Sequence, residues 1–347
     1  MAPLTPADNG DGPLNVLWFG NSYSQFNLLP DRLADLAEVG GHARPNFSTR
    51  LVGGATVAGH LQARDGVVAP DDNPNVRWDF TIVQAQSFEG TPVGSDPLVI
   101  NTHQHLYQFL ANHPSGNAAN ATPIILETWA RHPDLYNDGP GNRLVSPERM
   151  QADLTETAES AARNMGLFYP GTTGTVARAG TAFFDQGLET AFYNPDGSHP
   201  SKIGSAAAAA TLYHSLYGRS ASELDETAAA AMGIGVDRWR DVLARADAAA
   251  PLRFAGTHPS NGAPTDDFNV VLNVNSEASS LPDHGTAVFR TQINVDEGGR
   301  IGDDMHIGGH VVQAYPEGSG SELNVRGGVI GDGVRAGPGV RVNISGG

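Results

Sequence analysis

The sequence predicts a three-layer α/β domain with a mainly parallel sheet, followed by a smaller all-β region. Three observations predict it. Short apolar runs without polar alternation recur up to about Ala250, as buried parallel strands require. Stretches with apolar residues at helical spacing stand between them, so strands and helices alternate. After Ala250 the helical periodicity disappears, and glycine-rich segments around short apolar triplets replace it.

Residues 1–13 (MAPLTPADNGDGP) read as a disordered lead-in, and 14–250 as the α/β domain. Residues 14–19 (LNVLWF) are the first buried strand and run into Gly20-Asn21-Ser22. Leu29, Leu33, Leu36 and Ala37 then recur at helical spacing until Gly40-Gly41 stops the pattern. A second strand runs up to Leu51-Val52 and ends at Gly53-Gly54; a third covers 80–85 (FTIVQA). A helix is expected over 103–112 and a fourth strand over 123–129 (PIILETW). Ser146-Pro147-Glu148 has a capping hydroxyl, a first-turn proline and an acid near the positive helix end. It starts a helix expected to stop at Gly166. A weak strand follows near 175–184, then the Asn194–Pro200 loop, an Ala-rich helix from Ser201 to about Tyr217, and helical patterns at 221–232 and 236–249.

Residues 251–267 read as a linker and 268–347 as a Gly-rich β domain. Within it, apolar triplets centred on an Asn recur: Leu272-Asn273-Val274, Ile293-Asn294-Val295, Leu323-Asn324-Val325 and Val342-Asn343-Ile344, spaced 21, 30 and 19 residues apart. One strand per coil, an inward Asn and corner glycines suit a β-solenoid, truncated at its end. A small antiparallel sheet with Gly-rich turns is the alternative.

The 347 residues carry 38 acidic against 21 basic side chains, a net charge of −17. Nucleic acid and anionic membrane have the same sign, so neither is expected as a partner. The absence of cysteine excludes disulfides, thiolate metal sites and a cysteine nucleophile. No apolar run approaches transmembrane length, and the first residues lack the basic and apolar regions of a signal peptide. His103 and His105 would face different sides of a helix, and Gly298–Asp304 lacks a regular calcium-binding repeat, so no metal is expected.

Three features carry chemistry, each at the end of an expected strand, where ligand sites of open α/β sheets gather. Ser22 sits on the turn into a helix, which exposes its Oγ and offers its own N–H to an oxyanion. Asp196 and His199, three apart in Asp196-Gly197-Ser198-His199-Pro200, can supply the orienting carboxylate and the base that a serine nucleophile needs. Gly54 and Gln86 offer a backbone N–H and a side-chain amide as oxyanion donors. Taken singly, each has a plainer reading: a capping serine, a turn aspartate beside an exposed histidine, a glycine turn and a surface amide. Tyr23, Phe88 and Trp129 are candidates for a substrate pocket, and equally for core. Glu127 is a charge in an apolar run, facing the site or ending the run.

Taken together, Phe19-Gly20-Asn21-Ser22-Tyr23-Ser24, Gly54 and Asp196-Gly197-Ser198-His199-Pro200 resemble the motif blocks of SGNH (GDSL-type) hydrolases, in a branch with Gly-Asn-Ser for Gly-Asp-Ser, over residues 14–250. Leu126-Glu127-Thr128-Trp129-Ala130 resembles a strand of the same branch. The third block departs from the pattern: Gln84-Ala85-Gln86-Ser87 stands where the family has Gly-x-Asn-Asp, so Gln86 would replace an asparagine. The resemblance implies a flavodoxin-like α/β/α domain and an ester hydrolase without cofactor. Its triad would be Ser22, Asp196 and His199, and its oxyanion hole the N–H groups of Ser22 and Gly54 with the Gln86 amide. It also implies short-chain or acetyl esters, carbohydrate O-acetyl groups among them, and a secreted or cell-surface location. A general short-chain esterase of lysophospholipase type is one alternative. A glycan-binding or adhesion protein with a silent hydrolase domain is another.

Overall fold

The computed structural model describes residues 12–62, 77–91, 121–136, 146–168, 173–184 and 190–255, and beyond them 270–274, 276, 286–287, 291–301, 306–307, 322–332, 334–336 and 340–345. The described residues up to Ala255 form one compact unit and those from Val270 onward a second.

In the first unit, strands β1 (Asn15–Gly20), β2 (Asn46–Leu51), β3 (Phe80–Gln84), β4 (Thr122–Leu126), β5 (Thr173–Ala177) and β6 (Leu252–Ala255) form one sheet in the order β2-β1-β3-β4-β5-β6. All neighbours are parallel except β6, which pairs antiparallel with β5. The chain steps outward from β1 to β2 and returns to the other side of β1 for β3. That reversal makes a switch point at the carboxyl ends of β1 and β3, where a crevice for ligand opens.

Alternation along β1 separates the two faces of the sheet. Val16 and Trp18 join the core shared with the helices Leu29–Val39, Lys202–Tyr217 and Val236–Ala248. Leu17 and Phe19 are buried on the opposite face, where the helix Pro147–Phe168 packs against β4 and β5. Burial of each large apolar side chain contributes roughly 1.5–3 kcal/mol, so the fully buried Trp18, Leu33, Trp129 and Trp239 anchor the layers. The Ala-rich run Ala206–Ala210 is wholly buried; its small side chains let the central helix approach both sheet and neighbouring helices.

Several expectations for the first unit are corrected. The fourth strand, expected over 123–129, ends at Leu126. Residues 179–184, read as the end of a strand, form a short helix, because the Thr181 N–H and hydroxyl are drawn onto the buried Glu127 carboxylate. Residues 252–255, assigned to the linker, are the antiparallel edge strand β6. The helix from Pro147 runs to Phe168, past the expected stop at Gly166. The helix expected over 103–112, with His103 and His105, and residues 256–267 lie outside the described residues, as do Gly302–Asp304.

In the second unit, β7 (Val270–Val274), β9 (Thr291–Val295), β12 (Glu322–Val325) and β15 (Arg341–Ile344) form a parallel ladder in sequence order. Its register places Asn273, Asn294, Asn324 and Asn343 side by side. Two smaller parallel ladders accompany it: β10 (Arg300–Ile301) with β13 (Val329–Ile330), and β8 (Thr286–Ala287), β11 (His306–Ile307) and β14 (Arg335–Ala336). Every described strand pair here is parallel, against the antiparallel alternative. The side chains of Asn294 and Asn324 are not inward. Ile293, Val295, Leu323 and Val325 form the core, so strand alternation turns Asn294 and Asn324 to the other face.

Candidate active site

The carboxyl end of β1 is fixed by a buried polar network. Gln84, at the end of β3 and wholly buried, accepts from Asn21 N at 3.2 Å and from Ser24 Oγ at 2.8 Å. Its Nε2 donates to Asn21 Oδ1 at 2.8 Å and to Ala85 O at 2.6 Å. Asn21 Nδ2 in turn donates to Ala55 O at 3.1 Å and Ala85 O at 3.3 Å, so one side chain ties together the loops after β1, β2 and β3. Gly20 is required by close approach: a Cβ there would lie 2.9 Å from Gln84 Oε1 and 3.0 Å from Ser24 Oγ. Asn21 caps the turn Ser22–Gln25 by accepting from Tyr23 N at 3.1 Å, and Ser22 is the first residue of that turn. On the β2 side, buried His60 lies 3.0 Å from Gly20 O; burial pushes its imidazole down, against the pull of that carbonyl.

The histidine loop is fixed as tightly. Asp196 Oδ1 accepts from Ser198 N at 2.8 Å and His199 N at 2.9 Å, an Asx-type turn. Trp129 Nε1 donates to Ser198 O at 3.0 Å, His132 N to Gly197 O at 2.8 Å and Tyr193 Oη to Ala130 O at 2.7 Å. The segment after β4 therefore holds the loop from beneath, and Ser201 caps the following helix.

Between these two fixed turns the predicted residues meet. His199 Nε2 lies 2.9 Å from Ser22 Oγ, and His199 Nδ1 lies 2.7 Å from Asp196 Oδ2. With the ring proton on Nδ1, Asp196 accepts it and Nε2 is left to accept from the serine. Burial alone would raise the Asp196 carboxyl; the two backbone N–H donors and the His199 ring outweigh it and hold the carboxyl below its ordinary range. The arrangement can move a proton from Ser22 to His199 while Asp196 holds the ring and its positive charge.

Gly54 lies in the turn after β2, at φ +71° with open space where a side chain would stand. Gln86 follows β3, but its amide is engaged within its own turn: Nε2 donates to Ser87 Oγ at 3.0 Å and Oε1 accepts from Phe88 N at 2.8 Å. Glu89, buried, joins the two loops by accepting from Val57 N at 3.1 Å and Gln86 N at 2.6 Å.

Of the two readings open for the aromatic candidates, pocket or core, Tyr23 and Trp129 take the second. Tyr23 and Trp129 are buried and stacked, 4.6 Å apart at 5°, with Phe183 stacked on Trp129 at 4.3 Å. They are core beneath the site rather than pocket wall. Tyr23 Oη lies 2.8 Å from Ser198 Oγ and so links the nucleophile turn to the histidine loop. Phe88 is half-buried beneath the Arg131 guanidinium, 3.9 Å from its ring centre. Glu127 is buried and bonded to Gln151, Thr155 and Thr181. Burial pushes its carboxyl up against those donors; it ties the end of β4 to two helices and takes no part in the relay. Sequence reasoning gave no role to Gln84, Ser24 and Ser198, which it met only within motif blocks, and missed Glu89. A glutamine closing an otherwise apolar strand was the one available signal.

Among solved structures, the chain is similar to a protein of Slackia heliotrinireducens assigned to the SGNH hydrolases (27% identity, 59% of this chain and 100% of that one, TM-score 0.45). It is also similar to a DUF4886 family protein from Bacteroides uniformis (19%, 68% and 94%, TM-score 0.49) and to the lipase/acylhydrolase from Enterococcus faecalis (15%, 59% and 96%, TM-score 0.42). No protein-family model and no curated protein matches the sequence. In its own sheet order, its serine at the exit of β1 and its Asp-x-x-His loop before the last large helices, the chain has the architecture that the SGNH resemblance implies.

Proposed function

We propose that the chain is a serine hydrolase that cleaves carboxylic esters through an acyl-enzyme on Ser22. The continuous relay from Asp196 through His199 to Ser22, at 2.7 and 2.9 Å, carries this reading. Ser22 Oγ attacks the ester carbonyl as His199 Nε2 takes its proton. The tetrahedral oxyanion is met by the Ser22 and Gly54 N–H groups, each donor worth roughly 2.7–4 kcal/mol where it is well aimed. Gln86 joins them only if its amide gives up Ser87. His199 returns the proton to the leaving alcohol, then deprotonates a water that releases the acid and frees Ser22. The substrates proposed are short-chain esters, acetyl esters first, with carbohydrate O-acetyl groups as the class to search. Hydrolysis of p-nitrophenyl esters of increasing acyl length, by wild type and by Ser22→Ala, tests it. Activity that is greatest on acetate and lost in the variant supports the reading; activity indifferent to Ser22 rejects it.

A second reading, glycan binding by the C-terminal unit, is favoured by one observation. The face of the main ladder opposite its core carries a cleft of about 380 Å³ lined by Gln292, Asn294, Asn324, Arg326, Asn343 and Ser345, with no apolar residue among them. The parallel ladders at 21-, 30- and 19-residue offsets favour a β-solenoid for this unit. Neutral oligosaccharides titrated into the Ser22→Ala chain would bind on this reading, and binding would be weakened by Asn324→Ala.

A further inference from the structure

Phe26, four residues after Ser22, lies almost flat on the His199 imidazole, with ring centres 4.1 Å apart and planes 15° apart. Tyr23 meets the same imidazole edge-on at 5.6 Å and 76°. Phe26 is 37% exposed, so burial in a core is not what holds it there.

The backbone that follows is unusual. Asn27 and Leu28 have φ of 56° and 55°, the non-glycine residues with positive φ among those described. Left-handed backbone costs non-glycine residues free energy and persists where the surroundings over-determine it. Here Asn27 Nδ2 donates to Pro200 O and to Ser205 Oγ, both at 2.9 Å. Arg32 Nε donates to Asn27 O at 2.7 Å, and Arg32 Nη1 is anchored on Met232 O at 2.6 Å. Pro200 directly follows His199, so the strained turn after the nucleophile is clipped to the loop that carries the base.

We propose that Phe26 is a positioning residue for His199, with the Asn27 clip holding it in place. The inference rests on the acyl-transfer reading. The stack fixes the ring plane that lets Nε2 face Ser22 while Nδ1 faces Asp196. It also sets the electron-rich face of a phenyl ring against an imidazole that becomes cationic as Ser22 attacks, so the contact strengthens when charge develops.

The test measures the rate at which a fluorophosphonate probe labels Ser22, with kcat and KM on p-nitrophenyl acetate and the melting temperature alongside. Phe26→Ala should label and turn over roughly ten- to a hundredfold more slowly, with KM little changed and the melting temperature held. Phe26→Tyr should recover most of the rate; Phe26→Leu, apolar but without a π face, should not. Asn27→Gly relieves the left-handed backbone and removes the clip, so it should melt no lower than wild type yet label more slowly. Wild-type rates in Phe26→Ala, or equal rescue by Leu and Tyr, would overturn the role. A wild-type chain that is not labelled at all would instead refute the acyl-transfer reading, and the inference with it.

Discussion

The two units of the chain both rest on parallel strands, yet they treat polar side chains in opposite ways. In the first, polar side chains at and just after strand ends are buried and bonded to one another: Gln84, Asn21 and Ser24 close a network whose product is a single placed serine. In the second, amides sit mid-strand on the face away from the core. Asn343 donates to Asn324 at 2.8 Å and Asn324 to Asn294 at 3.0 Å, one rung above another. The difference teaches that parallel pairing by itself makes no active site. Polar groups aimed together at the carboxyl ends of strands make one reactive point, while the same groups repeated along strands make a surface.

Substitutions that break the first arrangement should be the most costly. Ser22→Ala should lower ester turnover by about 10⁴–10⁶ if the serine is the nucleophile, with the fold unchanged by circular dichroism. Asp196→Asn should cost roughly 10⁴ in kcat, because an amide no longer enforces the Nδ1–H tautomer; a loss below tenfold would separate Asp196 from the relay. Gln84→Leu keeps the size but strands Asn21 and Ser24. It should destabilise by about 2 kcal/mol for the unsatisfied buried groups and also slow turnover, read by chemical denaturation and assay together. The smallest effect belongs to the ladder: Asn324→Ala should cost about 1 kcal/mol or less and leave ester hydrolysis at the wild-type rate. A fall in hydrolysis in that variant would show that the two units are not chemically independent.

Much of the site was legible because its chemistry restricts residue types. A serine after an apolar strand and an Asp and His three apart on a loop have few joint explanations, and the structure brings them within hydrogen-bond distance. The first four strands were legible because their buried runs are unbroken. What was not legible depended on partners distant in sequence. Gln84 is strand as expected, but its role as a network hub depends on Asn21, 63 residues away. Tyr23 and Trp129 stay open between pocket and core in the sequence, because an aromatic near a strand end does not announce whether another ring covers it. Leu252–Ala255 read as linker because an edge strand needs only one neighbour and little pattern. An inward Asn suits a solenoid coil, but period-two alternation beside the buried Ile293 and Val295 turns Asn294 to the other face.

The most direct test of the central claim, that His199 activates Ser22, is mass-spectrometric mapping of a fluorophosphonate adduct in wild type and in His199→Ala. The account predicts one adduct, on the peptide containing Ser22, formed in wild type and slowed by several orders of magnitude in the variant. An adduct elsewhere, or labelling of Ser22 that does not depend on His199, would contradict it.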